Sequence, residues 1–121
     1  MAEEDTKVAA QATPRDYTDR PWAISAAASG TDYSAVLQVP GNWDEIVAVL
    51  FDAKATSVEI KANGHTVLFG AVFPANASLG VRLPIDRGMN ATNEFLITAT
   101  VGSGVTVIAQ LMLRRYRRAL K

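Results

Sequence analysis

The constraint that dominates this chain is a period of two. Val58 and Ile60, then Val81, Leu83 and Ile85, then Val105 and Val107 stand at alternate positions, the pattern of strands that bury one face and wet the other. Turn signals recur between such runs at the close spacing of a sandwich or barrel rather than that of βαβ units. The fold class read from this is all-β: a small antiparallel β-sandwich or jelly-roll-like barrel with an extended N-terminal arm.

Eight strands are expected, over residues 22–24, 34–39, 46–51, 58–62, 65–73, 80–85, 94–100 and 105–113. Asn63-Gly64 between the fourth and fifth is a strong hairpin signal, because both residues accept the positive φ of a type I′ turn. Gly102-Ser103-Gly104 predicts a second antiparallel hairpin, joining the seventh and eighth strands. Residues 52–55 read as a polar break, 74–78 as a loop and 86–90 as a longer one. A helix over 44–51 competes with the third strand, since Asp44 and Glu45 suit a helix N-terminus. The β-branched Ile46, Val47 and Val49 favour the strand.

Residues 1–21 read as a flexible arm. The first twenty hold eight charged side chains, one valine and one tyrosine, too little apolar surface to offset the entropy of ordering them alone. A linker through residues 26–30 follows the short first strand. Residues 22–121 form the expected β-sandwich domain, with a basic C-terminal end that either continues the last strand or turns helical.

At 121 residues one domain is expected, burying roughly two thirds of the surface of its unfolded chain. The longest apolar run, 46–51, falls far short of the roughly 18 residues that cross a bilayer, so no membrane partner is expected. The acidic, polar start lacks the basic and apolar regions of a secretory signal, and synthesis in a cytoplasm is the expectation. Two glycosylation sequons, at Asn76 and Asn90, therefore carry little weight. Without cysteine there are no disulfides, thiol nucleophiles or thiolate metal sites. Net charge is zero, which argues against a general polyanion binder, yet Glu3, Glu4 and Asp5 crowd one end while Arg114, Arg115, Arg117, Arg118 and Lys121 crowd the other.

No catalytic constellation emerges, and the expectation is a protein that is not an enzyme and takes no cofactor or metal. The single histidine, His65, flanks a turn and has no second histidine or cysteine to share a zinc ion. Asp44, Glu45 and Asp52 lack the alternating ligands and central glycine of a calcium loop. Gly102-Ser103-Gly104 lacks the lysine and helix of a phosphate loop, and Arg87-Gly88 is followed by Met89 rather than the Asp of an integrin ligand. The run Arg114-Arg115-Tyr116-Arg117-Arg118 has the makings of a phosphate contact with a stacking ring. Its ordinary reading, a strand end whose arginines pair with acids, carries more weight, and nucleic acid is not the expected partner. Trp43 beside its turn is either a core plug or an exposed platform for a sugar or protein. Trp22 shares that ambiguity and could pin the arm. The interface candidates are Trp22, Trp43, Tyr116, Arg114, Arg115 and Arg117.

A polar arm, a small cysteine-free β-domain with two hairpins and a last strand ending in a Tyr/Arg cluster together resemble the small virion proteins of tailed bacteriophages, most of all the capsid decoration or cement class. The likeness is one of length and organisation. It implies a structural virion protein, made in the host cytoplasm, that binds and stabilises the capsid surface as a homo-oligomer, a trimer by preference, with the major capsid protein as partner and the arm as tether. The alternative is a carbohydrate- or receptor-binding β-sandwich module with Trp43 as its stacking platform.

Overall fold

The computed structural model describes residues 17–85 and 92–117. Eight strands make up the described chain: β1 (Tyr17–Ala27), β2 (Asp32–Pro40), β3 (Glu45–Phe51), β4 (Ala55–Ala62), β5 (His65–Phe73), β6 (Leu79–Pro84), β7 (Thr92–Thr100) and β8 (Thr106–Tyr116). They lie in two four-stranded sheets, ordered β1-β8-β3-β6 and β2-β7-β4-β5, with every neighbouring pair antiparallel. That order is the double-sheet jelly roll of two Greek keys.

Of the alternating runs in the sequence, Val58, Ile60, Ile85 and Val107 are buried and Val81 and Leu83 half-buried, whereas Val105 lies outside β8 and is 39% exposed. The same alternation in other strands completes the core. Tyr33, Ala35, Leu37 and Val39 of β2, Phe95, Ile97 and Ala99 of β7, and Val107, Ala109, Leu111 and Leu113 of β8 are all buried, with intervening residues turned out. Phe51 joins the layers, meeting Tyr33 at 6.0 Å and Phe73 at 5.6 Å between ring centroids, within the range of favourable aromatic pairs. No helix forms over 44–51; β3 is a strand flanked by β8 and β6. The β4–β5 hairpin turns on Asn63 and Gly64 at φ 51° and 85°, as a type I′ turn requires.

Three sequence expectations are corrected. The link 101–105 does not close a hairpin, because β7 lies between β2 and β4 while β8 lies in the other sheet between β1 and β3. The chain arches from sheet to sheet there, beside the arch of residues 28–31. Val101 N donates to Thr31 O, Gly104 N to Gly30 O, and Ala28 N to Val105 O. A glycine-rich link allows a sharp reversal but does not dictate whether it stays within one sheet.

The arm expected through residue 21 ends sooner, since β1 begins at Tyr17. Its first residues hold their place by cross-strand pairing with β8 rather than by burial, which a reckoning of apolar surface does not register. Likewise Ala26 and Ala27, expected in a linker, extend β1 to its end. Residues 1–16 and the loop expected over 86–90 lie outside the described residues, as do Arg118 and Lys121.

Candidate functional site

The six interface candidates converge on one end of the sandwich, where β1 and β8 run antiparallel with Tyr17 opposite Tyr116, Thr18 opposite Arg115 and Asp19 opposite Arg114. Strand alternation divides them between two faces.

The outer face carries a ladder of paired groups. Asp19 accepts two hydrogen bonds from Arg114, at 2.8 and 3.0 Å, the bidentate fork that favours arginine over lysine. The same guanidinium sits 3.7 Å from the centroid of Tyr17, whose ring meets Tyr116 edge-on at 6.2 Å. Hydrogen bonding to the Asp19 carboxylate raises the Arg114 pKa further, against the opposing pull of desolvation, so its charge is permanent. Tyr116 donates its hydroxyl to Glu45, which also receives Arg82 Nε at 3.2 Å. The Tyr116 backbone N–H donates to Asp44 at 2.8 Å. Glu45 is buried, and these two donors meet its charge where water does not.

The inner face continues the core stripe past the point where the opposite sheet covers it. Trp22 on β1 and Trp43, in the link between β2 and β3, meet edge-to-face at 6.4 Å and close the core. Trp43 is only 3% exposed and donates its indole N–H to Pro40 O at 3.1 Å. Gly41 turns the chain beneath it at φ 102°, a conformation that residues with a side chain rarely adopt. Beyond the rings, Arg20 lies 5.0 Å from the Trp22 centroid and Arg115 4.8 Å from that of Trp43, distances at which a guanidinium is attracted to the ring face. A cavity of about 180 Å³ lined by Tyr17, Thr18, Arg115, Tyr116 and Arg117 opens here.

Of the two readings of Trp43, core plug or exposed platform, the structure shows the plug, covered by Arg115, so the stacking platform of the carbohydrate-binding alternative does not lie there. Asp44, Glu45 and Asp52 do not converge. Asp52 lies past the other end of β3, accepting from Ile108 N at 2.9 Å, and no metal-holding group of His, Asp and Glu side chains exists among the described residues. His65 is exposed beside its turn.

Away from this end, the edge strand β5 holds the largest exposed apolar side chain, Phe69, at 79% exposure, with Val72 at 58%. Between the pairs Val58–Ala71 and Ile60–Leu68 two residues of β5, Phe69 and Gly70, oppose one of β4. Gly70 takes φ 77°, forming a bulge that leaves the Phe69 ring in solvent. The isolated Gly70 inside a strand pattern was the available signal. On the outer face of β2 and β7, Asp32, Ser34, Ser57, Thr98 and Thr100 help to line a shallow depression of about 320 Å³. Arg20, Tyr17 and Asp19 complete the β1–β8 cluster; nothing in the sequence pairs β1 with β8, so their role was not readable.

No family model and no curated protein matches the chain. Among solved structures, dimeric latent PorU from Porphyromonas gingivalis matches with a TM-score of 0.51 at 9% identity, over 84% of this chain and 13% of that one. The chain thus spans a small fraction of PorU, and the likeness is one of fold. A family 35 carbohydrate binding module from an environmental isolate matches with a TM-score of 0.45 at 14% identity, over 77% of this chain and 74% of the module.

Proposed function

We propose that this chain is a non-catalytic jelly-roll module that works by attachment to protein surfaces, its own copies first among them. The observation that carries the reading is the β5 edge. Phe69 and Val72 stand in water, where burying a side chain of that kind in a contact is worth about 1.5–3 kcal/mol. By contrast, the acids at the β1–β8 end serve the fold, as do Asp52 and the two indoles. The bulge at Phe69 and Gly70 interrupts the ladder, so this edge is a poor template for open-ended strand addition. Contact through side chains, of limited size and defined geometry, is what it suits.

The finer reading follows from the resemblance to capsid decoration proteins: a homo-oligomer, trimeric by preference, that binds the major capsid protein and stabilises a bacteriophage virion after synthesis in the host cytoplasm. The jelly-roll order is common to viral capsid and lectin domains and does not choose between them. One feature favours the alternative carbohydrate- or receptor-binding module, the hydroxyl-lined depression on β2 and β7, which replaces Trp43 as the place where a sugar would sit.

The test is the solution mass of the full chain by light scattering, beside the Phe69→Lys/Val72→Lys variant and a glycan-array measurement. A discrete oligomer that the variant reduces to monomers, with unchanged thermal unfolding, is the expected result. A wild-type monomer that binds a glycan, and loses it when Thr98 and Thr100 become valine, overturns the reading in favour of the alternative.

A further inference from the structure

The inner face at the β1–β8 end presents a concentration of positive charge that nothing among the described residues neutralises. Alternation along β1 places Arg20 and Thr18 on the same face as Trp22, and alternation along β8 places Arg115 on the face of Leu111 and Leu113. Thr18 lies opposite Arg115 and Arg20 opposite Leu113, so the two arginines are diagonal neighbours, within mutual reach of their long side chains. Arg117 follows and lines the same cavity as Arg115 and Thr18. All three arginines are exposed, and the ion pairs among the described residues belong to Arg82 and Arg114 instead.

Like charges at this spacing repel unless an anion lies between them. Arg20 and Arg115 are nonetheless held in place, each stacked on an indole, so little further side-chain entropy is lost when a ligand arrives. A planar guanidinium with fixed donors matches a carboxylate in preference to a neutral group. The ledge is thus built to take a run of carboxylates.

We infer that its occupant is the acidic segment Glu3-Glu4-Asp5 of the same chain. Residues 1–16 carry four carboxylates and two cations, with three of the carboxylates adjacent. The chain enters the described structure at Tyr17, which is itself a wall of the cavity. Eleven residues, 6–16, separate Asp5 from Tyr17, a length whose closure adds little entropy cost. A short tether holds the segment near its site at an effective concentration of order millimolar, which at micromolar protein favours the chain's own segment over a neighbour's. Arg20, Arg115 and Arg117 then form an internal acidic-peptide site, distinct from the β5 edge.

Carbodiimide coupling of the full-length Arg117→Lys variant tests this. The substitution keeps the charge, leaves both indole stacks untouched and supplies an amine. Peptide mass mapping of the single-chain species is expected to show the introduced amine joined to Glu3, Glu4 or Asp5. The link should fall at least tenfold in 1 M salt, where screening acts over about 3 Å, and vanish in the Glu3→Gln/Glu4→Gln/Asp5→Asn background. Adding Phe69→Lys should leave it unchanged. Links from the introduced amine only to acids of residues 17–117, links found only between two chains, or no link at all would each overturn the inference.

Discussion

Asn63 and Asn93, thirty residues apart, share a hydrogen bond of 3.1 Å from Asn63 Nδ2 to Asn93 Oδ1. It ties the type I′ turn of the β4–β5 hairpin to the start of β7. Asn93 is fully buried and also donates to Gly41 O at 2.9 Å, and Gly41 holds the positive-φ turn that leads into Trp43. One amide therefore connects the hairpin, the β7 entry and the turn beneath the core plug. Asn93→Ala strips the half-buried Gly41 carbonyl of its donor and is expected to lower stability by about 1–3 kcal/mol, read from the midpoint of urea unfolding. A loss below about 0.5 kcal/mol would show that the three elements hold without it.

The two tryptophans make a paired prediction. Trp43 gives its N–H to Pro40 O, whereas the N–H of Trp22 is buried without a partner. Replacing each by phenylalanine keeps most of the ring. Trp43→Phe orphans an acceptor and leaves a gap against Gly41, and should destabilise by about 1–3 kcal/mol. Trp22→Phe removes an unsatisfied donor, and its lost volume is offset by that relief, so thermal unfolding should move little or upward. Equal losses in both variants would place the indole volumes, not the hydrogen bond, in control.

Much of the fold was legible because its cause is local. The inward stripe of strands such as β2, β7 and β8 is written as alternation, and the Asn63-Gly64 turn depends on two adjacent residues. What escaped depends on contacts distant in sequence. Whether the link 101–105 turns within a sheet or arches between sheets is decided by its bonds to Gly30 and Thr31, some seventy residues away. Residues 17–20 belong to a strand because Asp19 finds Arg114, and no property of the segment alone announces that. The candidate site was partly legible for the same reason. Residue type singled out Trp22, Trp43, Tyr116 and the arginines, but only the register of β1 on β8 assigns Arg114 and Tyr116 to one face and Arg115 to the other.

Tyr33 yields a pH dependence. Burial pushes its phenol up to about 12, with the nearby Asp52 carboxylate acting in the same direction. The folded state therefore keeps the proton to higher pH than the unfolded chain, whose tyrosines titrate near 10. The stability contributed by the neutral phenol is intact below pH 10 and is lost as pH rises towards 12, at a slope approaching 1.4 kcal/mol per pH unit, an order-of-magnitude figure. Tyr33→Phe forgoes only a long contact to Ile24 O, at 3.4 Å. Chemical unfolding at pH 8 and pH 11 should show the variant losing less stability than the parent over that interval. Parallel losses would mean that Tyr33 ionises as readily in the folded protein as in the unfolded chain.

The bulges of β4 and β5 separate strain from need. Ser57 holds φ 52° in the interior of β4, where its bulge shifts the register against both β5 and β7. The left-handed region costs a residue with a side chain about 1–2 kcal/mol relative to glycine, partly offset by the greater freedom glycine has when unfolded. Ser57→Gly should thus stabilise the protein by about 0.5–1 kcal/mol. Gly70, also at positive φ, is the converse case: an added methyl meets open space, so the about 1 kcal/mol loss expected for Gly70→Ala would be conformational alone. The pair is read by thermal unfolding with circular dichroism confirming the same strand content. Because Ser57 also lines the hydroxyl depression, a stabilised Ser57→Gly protein is the variant in which to ask whether that strain serves binding. If Ser57→Gly instead destabilises, the serine hydroxyl is making a contact worth more than the backbone strain it tolerates.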